Sequence, residues 1–353
     1  MTSRTWVIAI VCVLAVCGSL ILGQERGAAV KEVGDLTRQL GDTDPQKRSD
    51  AFYRLIDIGS KTDTRGRVRV AVAALLKDFP EKADDIKVSM TKALDTENQV
   101  VKRSASLEEH FTEYYGDLIA AVTSFRDIRS VKPLSDAVGT GHMVVGTLAS
   151  FGQAALDPIL EKMSSEEGPV KQGACIVLGL LLDPANPASI KDTKTRDRIK
   201  EELKKAAQDV AGAYIRSTAV EALAKLDDPA IVSFLSDIAQ KDDYDAAQFV
   251  GKPGSFPVRE AAVAALHKLG EKGSGEVGKG ALDSLTQLGK DGSGSVKTGA
   301  VDALQKLAGN PEASGIVKNA AKEALGKLNI DIFKKTDAKP DAKGQAPSPP
   351  PQH

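Results

Sequence analysis

The chain has few aromatic residues, few cysteines and almost no net charge. Phenylalanine, tyrosine and tryptophan make up 4% of its 353 residues, and no long run of alternating apolar and polar residues indicates a sheet. The three cysteines form no Cys-x-x-Cys pair, so neither a disulfide framework nor a zinc site is expected. The formal net charge of −1 gives no global field to attract nucleic acid, although a local patch remains open.

Side chains typical of catalysis or metal binding are also scarce. The four histidines have no partner three or four residues further on that would complete a metal pair. Cys175 lies in an apolar helical stripe, which favours a small buried hydrophobe over a nucleophile. No Ser-His-Asp arrangement can be assigned. The sequence therefore predicts no enzyme, no metal and no cofactor.

One motif resembles a phosphate-binding loop. Residues 273–280 read GSGEVGKG, but a phosphate loop follows a strand, and here a helical pattern precedes the glycines. Nineteen residues later, 292–299 read GSGSVKTG in the same frame. Both segments are interpreted as repeat junctions that supply helix caps and turns, so no nucleotide is expected.

Most of the chain consists of repeated thirteen-residue blocks. Each has valine first, alanine at +4 and leucine at +8 and +11, which places an apolar stripe on one side of a helix. The plainest copies are Val258–Gly270, Val277–Gly289, Val296–Ala308 and Val317–Asn329. Older copies begin at Val170 and Ile215. One such helix buries too little to be stable alone, so the blocks predict an all-α fold, an α-solenoid of stacked antiparallel helix pairs.

The rest of the chain divides around these blocks. Residues 29–129 read as divergent helical repeats with one long helix from Val100 to Phe125, which concentrates aromatic residues. Asp44 and Pro45 predict the start of an earlier helix. Residues 130–332 carry the clearer repeats, with a long loop at 241–257, and the Pro-, Ala- and Lys-rich residues 333–353 predict a disordered tail. The loop and the aromatic helix could each be structural or contribute to binding.

An apolar segment lies near the N-terminus. Residues 6–22 carry no charge, which makes them long for a signal-peptide core and short for a comfortable membrane span. Residues 1–23 are therefore an uncleaved anchor or a cleaved signal, with a lipoprotein at Cys17 as a third alternative. In each case Arg4 marks the end that stays in the cytoplasm, and the rest of the chain is expected outside it. The protein is then anchored to the membrane, or periplasmic or secreted if residues 1–23 are cleaved.

The helix pairs resemble the HEAT repeats of bacterial proteins, including those of phycobilin lyases. Proline stands near the start of first helices, as in Lys132-Pro133-Leu134 and Asp157-Pro158-Ile159, and Val258–Gly270 has the pattern of a second helix. The resemblance covers about residues 29–329. It implies a solenoid whose second helices line a concave surface that binds another macromolecule.

The favoured interpretation is a non-catalytic scaffold or adaptor with a protein partner. The alternative is a phycobilin-lyase-like or chaperone-like enzyme built on the same repeats. Polar residues near the starts of second helices are the candidate contacts, although such positions are also those of a solvated face. These candidates are Arg216, Arg259, Glu260, Lys297 and Lys318.

Overall fold

The protein is all-α in every part that the structure describes. The computed structural model describes residues 24–60, 68–103, 112–165, 168–209, 212–241, 257–273, 275–292 and 294–328. These residues form sixteen α-helices and two short 3-10 turns, with no strand. The chain divides into two compact units, Met1–Leu226 and Asp227–His353, and each is an α-solenoid segment of stacked antiparallel helix pairs.

Unit 1 (Met1–Leu226) contains the first eleven helices. The 3-10 turns Ile128–Ser130 and Val138–Thr140 lie on either side of its sixth helix. The helices are α1 (24–39), α2 (Pro45–Gly59), α3 (Val68–Asp78), α4 (Ala83–Lys102), α5 (Glu113–Ser124), α6 (Val131–Asp136), α7 (His142–Ser150), α8 (Gln153–Ser165), α9 (Gly168–Leu182), α10 (Thr193–Gln208) and α11 (Ala213–Leu223).

The predicted start of α2 is confirmed. The Asp44 carboxylate accepts a hydrogen bond from the backbone N–H of Gln46, and Pro45 occupies the first helical position. Proline is tolerated there because its missing N–H would have no partner within the helix. Three further helices also start with a side-chain cap, α5 at Thr112, α10 at Asp192 and the last helix of the described chain at Ser314.

The predicted long helix from Val100 to Phe125 is wrong. Helix α4 ends at Lys102, and α5 starts at Glu113 after its cap. The Tyr115 hydroxyl donates to Oδ1 of Asn98 at 2.7 Å, so α4 and α5 lie against each other. In one continuous helix these two residues would be about 26 Å apart along the axis.

The C-terminal half of unit 1 is built in two layers. Helices α7, α9 and α11 lie side by side in one layer, and α6, α8 and α10 form the other. Close approach of α9 to α11 depends on Gly179, where a Cβ would lie only 2.7 Å from the Cβ of Ala222. Between the layers, Leu178, Ile199 and Leu203 are fully buried and form the core.

Unit 2 (Asp227–His353) contains the last five helices. The first three thirteen-residue blocks lie wholly within helices, and the fourth is helical from Val317 to Lys327. Successive helices alternate between two rows, because each packs on its neighbour and on the helix after it. A Cβ at Gly299 would contact Val263, and one at Gly280 would contact Val232, both at 3.5 Å. The helices are α12 (Pro229–Lys241), α13 (Pro257–Lys272), α14 (Gly275–Asp291), α15 (Gly294–Gly309) and α16 (Gly315–Lys327).

Several predictions fall on residues outside the described ranges. These are the apolar segment 6–22, the loop 241–257 apart from its two ends, and the tail 333–353. None of the helices that the structure describes combines the length and apolar character needed to cross a membrane.

Candidate protein-binding face

Helices α7, α9 and α11 carry unusually few charged residues. Helix α7 has no Asp, Glu, Lys or Arg, α9 has only Lys171, and α11 has only Arg216 and Glu221. Charged residues make up 27% of the whole chain. This layer is therefore depleted in the groups that are hardest to remove from water.

Two of those three charged side chains have a partner within the protein, one a carboxylate and the other a backbone carbonyl. The Lys171 Nζ lies 2.6 Å from a carboxylate oxygen of Asp209. Arg216 is only 8% exposed, and its Nε donates to the carbonyl of Ala207 at the end of α10. Glu221 is the exposed charge that remains on these three helices.

Large apolar side chains are exposed at the starts of two of these helices, α7 and α11. Tyr214 is 68% exposed at the second residue of α11, and Met143 is 42% exposed at the second residue of α7. Between them, Ile176 of α9 is half-buried. Aromatic residues and methionine are enriched at the centres of protein interfaces, where charged residues are depleted.

The helices present these residues on a common surface. Helices α9 and α11 run parallel, since Gln172 Nε2 of α9 donates to Thr218 Oγ1 midway along α11, whereas Gly179 meets Ala222 closer to their C-terminal ends. Helix α7 runs in the same direction as α9, because Asn186 Nδ2 donates to the carbonyls of Ala149 and Leu180, near the ends of both helices. On α7, a Cβ at Gly146 would meet no atom within 4 Å, so the surface there is open. We call this surface the second-helix face. It comprises Met143, Gly146, Gln172, Ile176, Tyr214 and Thr218.

The opposite layer of unit 1 has the reverse character. Helix α10 reads TKTRDRIKEELKKAAQ, and most of its exposed charges form ion pairs. Lys205 lies 2.7 Å from Glu202 within the helix, and Arg198 reaches Asp157 of α8 at 3.2 Å. Such pairs are typical of a solvated surface. Of the two layers, the second-helix face is the one suited to losing water to a partner.

Most of the predicted contact residues instead donate hydrogen bonds to nearby backbone carbonyl groups. Arg259 donates to the carbonyls of Ala239 and Gln240, at 2.8 and 3.0 Å. Lys297 contacts the carbonyl of Lys290 at 3.5 Å, and Lys318 donates to that of Pro311 at 2.8 Å. Each cation lies at or just beyond the end of the preceding helix, where unpaired carbonyls and the helix dipole favour positive charge.

The predicted residues also do not form one row. Helices α13 and α15 share a row, so Arg259 and Lys297 belong together, but Lys318 lies on α16 in the other row. Arg216 belongs to unit 1 and is too buried to serve as a contact. Glu260 is exposed in the first turn of α13, where an acid suits the helix dipole. Contact with a partner stays a prediction for the exposed residues.

The glycine-rich segments join helices, as predicted. The N–H of Gly273 donates to the carbonyl of Leu269 at 2.7 Å, and that of Gly292 donates to Leu288 at 2.9 Å. Each of these bonds ends a helix. Gly275 and Gly294 begin the next helices with φ of 27° and 52°, in the region that favours glycine. The segment 273–280 therefore follows helix α13 rather than a strand.

The remaining candidate side chains lie in structural positions. Burial raises the pKa of the Cys175 thiol to about 12, as expected for a small buried hydrophobe. His267 is half-buried, and desolvation lowers its pKa. His142 is the first residue of α7, whereas His110 and His353 lie outside the described residues. Within the described ranges, no group of His, Cys, Asp and Glu could hold a metal ion.

Comparison with protein families agrees with a repeat architecture. A family model described as HEAT repeats matches residues 156–251, which extend from α8 to beyond α12. A designed armadillo repeat protein is 18% identical with a TM-score of 0.28, covering 84% of this chain and 99% of its own. Kap121p bound to RanGTP is 13% identical with a TM-score of 0.41, covering 93% of this chain and 39% of its own. No curated protein matches the chain.

Proposed function

We propose that the protein is a non-catalytic scaffold that binds a protein partner through the second-helix face. The observation that carries this proposal is the low charge of α7, α9 and α11 together with the exposure of Met143 and Tyr214. An exposed tyrosine with few charges around it offers apolar area and a hydroxyl at little entropic cost. The partner contributes a complementary, weakly charged surface.

The proposed location is outside the cytoplasm. This part rests on the uncharged residues 6–22 of the sequence. Expression of the protein with and without residues 1–23, followed by fractionation, tests it. Export of the full-length protein and its loss on truncation are expected, and mass spectrometry of the native N-terminus distinguishes an anchor from a cleaved signal. A full-length protein that stays in the cytoplasm contradicts this proposal.

The binding proposal is tested on an isolated partner. The tagged protein is purified from its native source, the co-purifying protein is identified, and its affinity is measured by calorimetry. Because residues at the centre of an interface carry most of the binding energy, Tyr214→Ala should weaken binding by roughly 10- to 30-fold, and Met143→Ala by a smaller factor. Neither change should alter the helical spectrum, since both side chains are exposed.

Ile316→Ala is the matched control. Ile316 is 83% exposed at the start of α16, so this variant removes an apolar side chain that is even more exposed, from a helix outside the proposed face. Its affinity should equal that of the unchanged protein. Full affinity of both the Tyr214 and Met143 variants would refute the proposed face. Loss of binding in Arg259→Glu with Lys297→Glu alone would move the site to the row of α13 and α15.

The enzymatic alternative stays a prediction. Testing the purified protein for bilin attachment or for chaperone activity would address it.

A further inference from the structure

A second surface of unit 1 has the features of a binding groove. Helices α1 and α4 are separated by a groove of about 750 Å³. It lies between different helices from those of the second-helix face, and a different observation supports it. Its walls carry charged side chains, and half-buried Val30 and Val88 contribute apolar surface.

The unpaired charge in this groove is positive. Its four basic side chains are Lys31, Arg38, Lys82 and Lys92, and its two acids are Asp35 and Asp85. Both acids are already paired, Asp35 with Arg38 and Asp85 with Lys82.

Lys31 and Lys92 form no ion pair within the described part of the chain. They therefore give the groove a net positive charge in a protein whose formal net charge is −1. Opposite charge on a partner would complement these two lysines.

The α1 wall of the groove is lowered by two glycines. Gly27 and Gly34 are seven residues apart, which places them on one side of the helix two turns apart. A Cβ at Gly27 would meet no atom within 4 Å, and one at Gly34 would make an ordinary contact of 3.6 Å with Lys82. Alanine would fit at both positions and favour the helix, so packing within the described residues does not require glycine there. Their effect is to leave room along α1.

We infer that this groove docks an acidic amphipathic helix of a partner protein. The apolar side of that helix packs on Val30, Val88 and the glycine wall, and its carboxylates lie against Lys31 and Lys92. A helix in a groove is a recurrent mode of peptide recognition, and the glycines permit close approach of its backbone. Since the groove rests on other helices, its failure would leave the second-helix face untouched.

Two synthetic peptides test the inference on the full chain. Both form amphipathic helices with the same leucine face, and one carries glutamate where the other carries lysine. Fluorescence anisotropy should show binding of the glutamate peptide at least tenfold tighter than that of the lysine peptide. The preference should decrease with added salt, because exposed charges are screened.

Variants locate the binding in the groove. Lys31→Glu with Lys92→Glu should weaken binding of the glutamate peptide at least tenfold. Gly34→Leu should weaken it by a similar factor, because the leucine side chain fills the groove without changing its charge. Lys268→Glu with Lys290→Glu alters net charge equally on exposed lysines of unit 2 and should have no such effect. Lys31→Ala with Lys92→Ala removes the two positive charges without adding negative ones, so it should weaken binding in the same direction by a smaller factor. Circular dichroism of each variant shows whether it is folded.

Three results would overturn the inference. Equal affinity for the two peptides would remove the charge preference. An equal loss of affinity for the glutamate peptide in the groove variants and in the unit 2 variant would show a general electrostatic effect. Vesicles rich in phosphatidylserine that bind in a Lys31- and Lys92-dependent manner, with no peptide binding, would assign the groove to a lipid surface instead.

Discussion

Replacing Gly179 with alanine probes the spacing of the helices that form the second-helix face. The added Cβ would lie 2.7 Å from the Cβ of Ala222 and 3.0 Å from its Cα. At the shorter distance something must move, and the nearest atoms belong to the backbone and to a side chain with no rotamer freedom. Overpacking of this kind typically costs about 1–3 kcal/mol, whereas alanine gains about 0.8–1 kcal/mol over glycine within a helix. The net expectation is a loss of up to about 2 kcal/mol, and no gain in stability.

Gly146→Ala is the matched control with the opposite expected sign. Gly146 lies within α7 of the same layer, and its new Cβ would meet no atom within 4 Å. Only the preference of a helix for alanine over glycine then applies, so the free energy of unfolding of this variant should rise by about 0.5–1 kcal/mol. A second-site change completes the test. Ala222→Gly in the Gly179→Ala background removes the nearest atom and should recover part of the loss.

Urea denaturation followed by circular dichroism gives the overall change in stability. Because a repeat array can unfold in parts, hydrogen exchange should also be measured, and Gly179→Ala should lower protection mainly in α9 and α11. The reasoning would be refuted if Gly179→Ala stabilised the protein as Gly146→Ala is expected to do. It would also be refuted by an equal loss of protection along all of unit 1.

Three further predictions concern buried polar groups. Arg48→Met leaves the carboxylate of Glu97, which is only 12% exposed, without its buried arginine partner, and should cost about 3–5 kcal/mol by urea denaturation. Burial raises the pKa of Asp136, but hydrogen bonds from two lysines outweigh it and hold the pKa below the ordinary 3.8. A lowered folded-state pKa gives stability that is present above pH 3.8 and lost as pH falls through the folded-state value. Asp136→Asn should therefore be less stable than the unchanged protein at pH 7, with the difference disappearing in acid. Because the buried Cys175 thiol has a pKa of about 12, mass spectrometry should show iodoacetamide labelling of its peptide only after unfolding.

The helices of the second half could be predicted because spacing alone defines them. The blocks from Val258 onward keep valine, alanine and leucine on one stripe, and each coincides with a helix, the last as far as Lys327. The break between α4 and α5 was missed because apolar residues recur every three or four positions on both sides of it. The cap at Thr112 gave a local signal, but the side-by-side contact of Asn98 with Tyr115 is a tertiary feature.

The proposed binding face was harder to predict than the helices that carry it. A basic residue after the first valine suggests an exposed contact, yet the sequence does not show that Arg259 reaches back to Ala239. Nor does block spacing show that α16 lies in a different row from α13 and α15. One usable signal was present. Tyr214 precedes the apolar stripe of its block, in a helix with few charges, which already indicated an exposed aromatic residue.

Hydrogen exchange of the protein with and without its purified partner tests the central claim most directly. Binding through the second-helix face should increase protection in the first turns of α7, α9 and α11, around Met143, Gln172 and Tyr214. The charged helix α10 should exchange at the same rate in both states. Protection on α10, with none on α7, α9 or α11, would contradict the account.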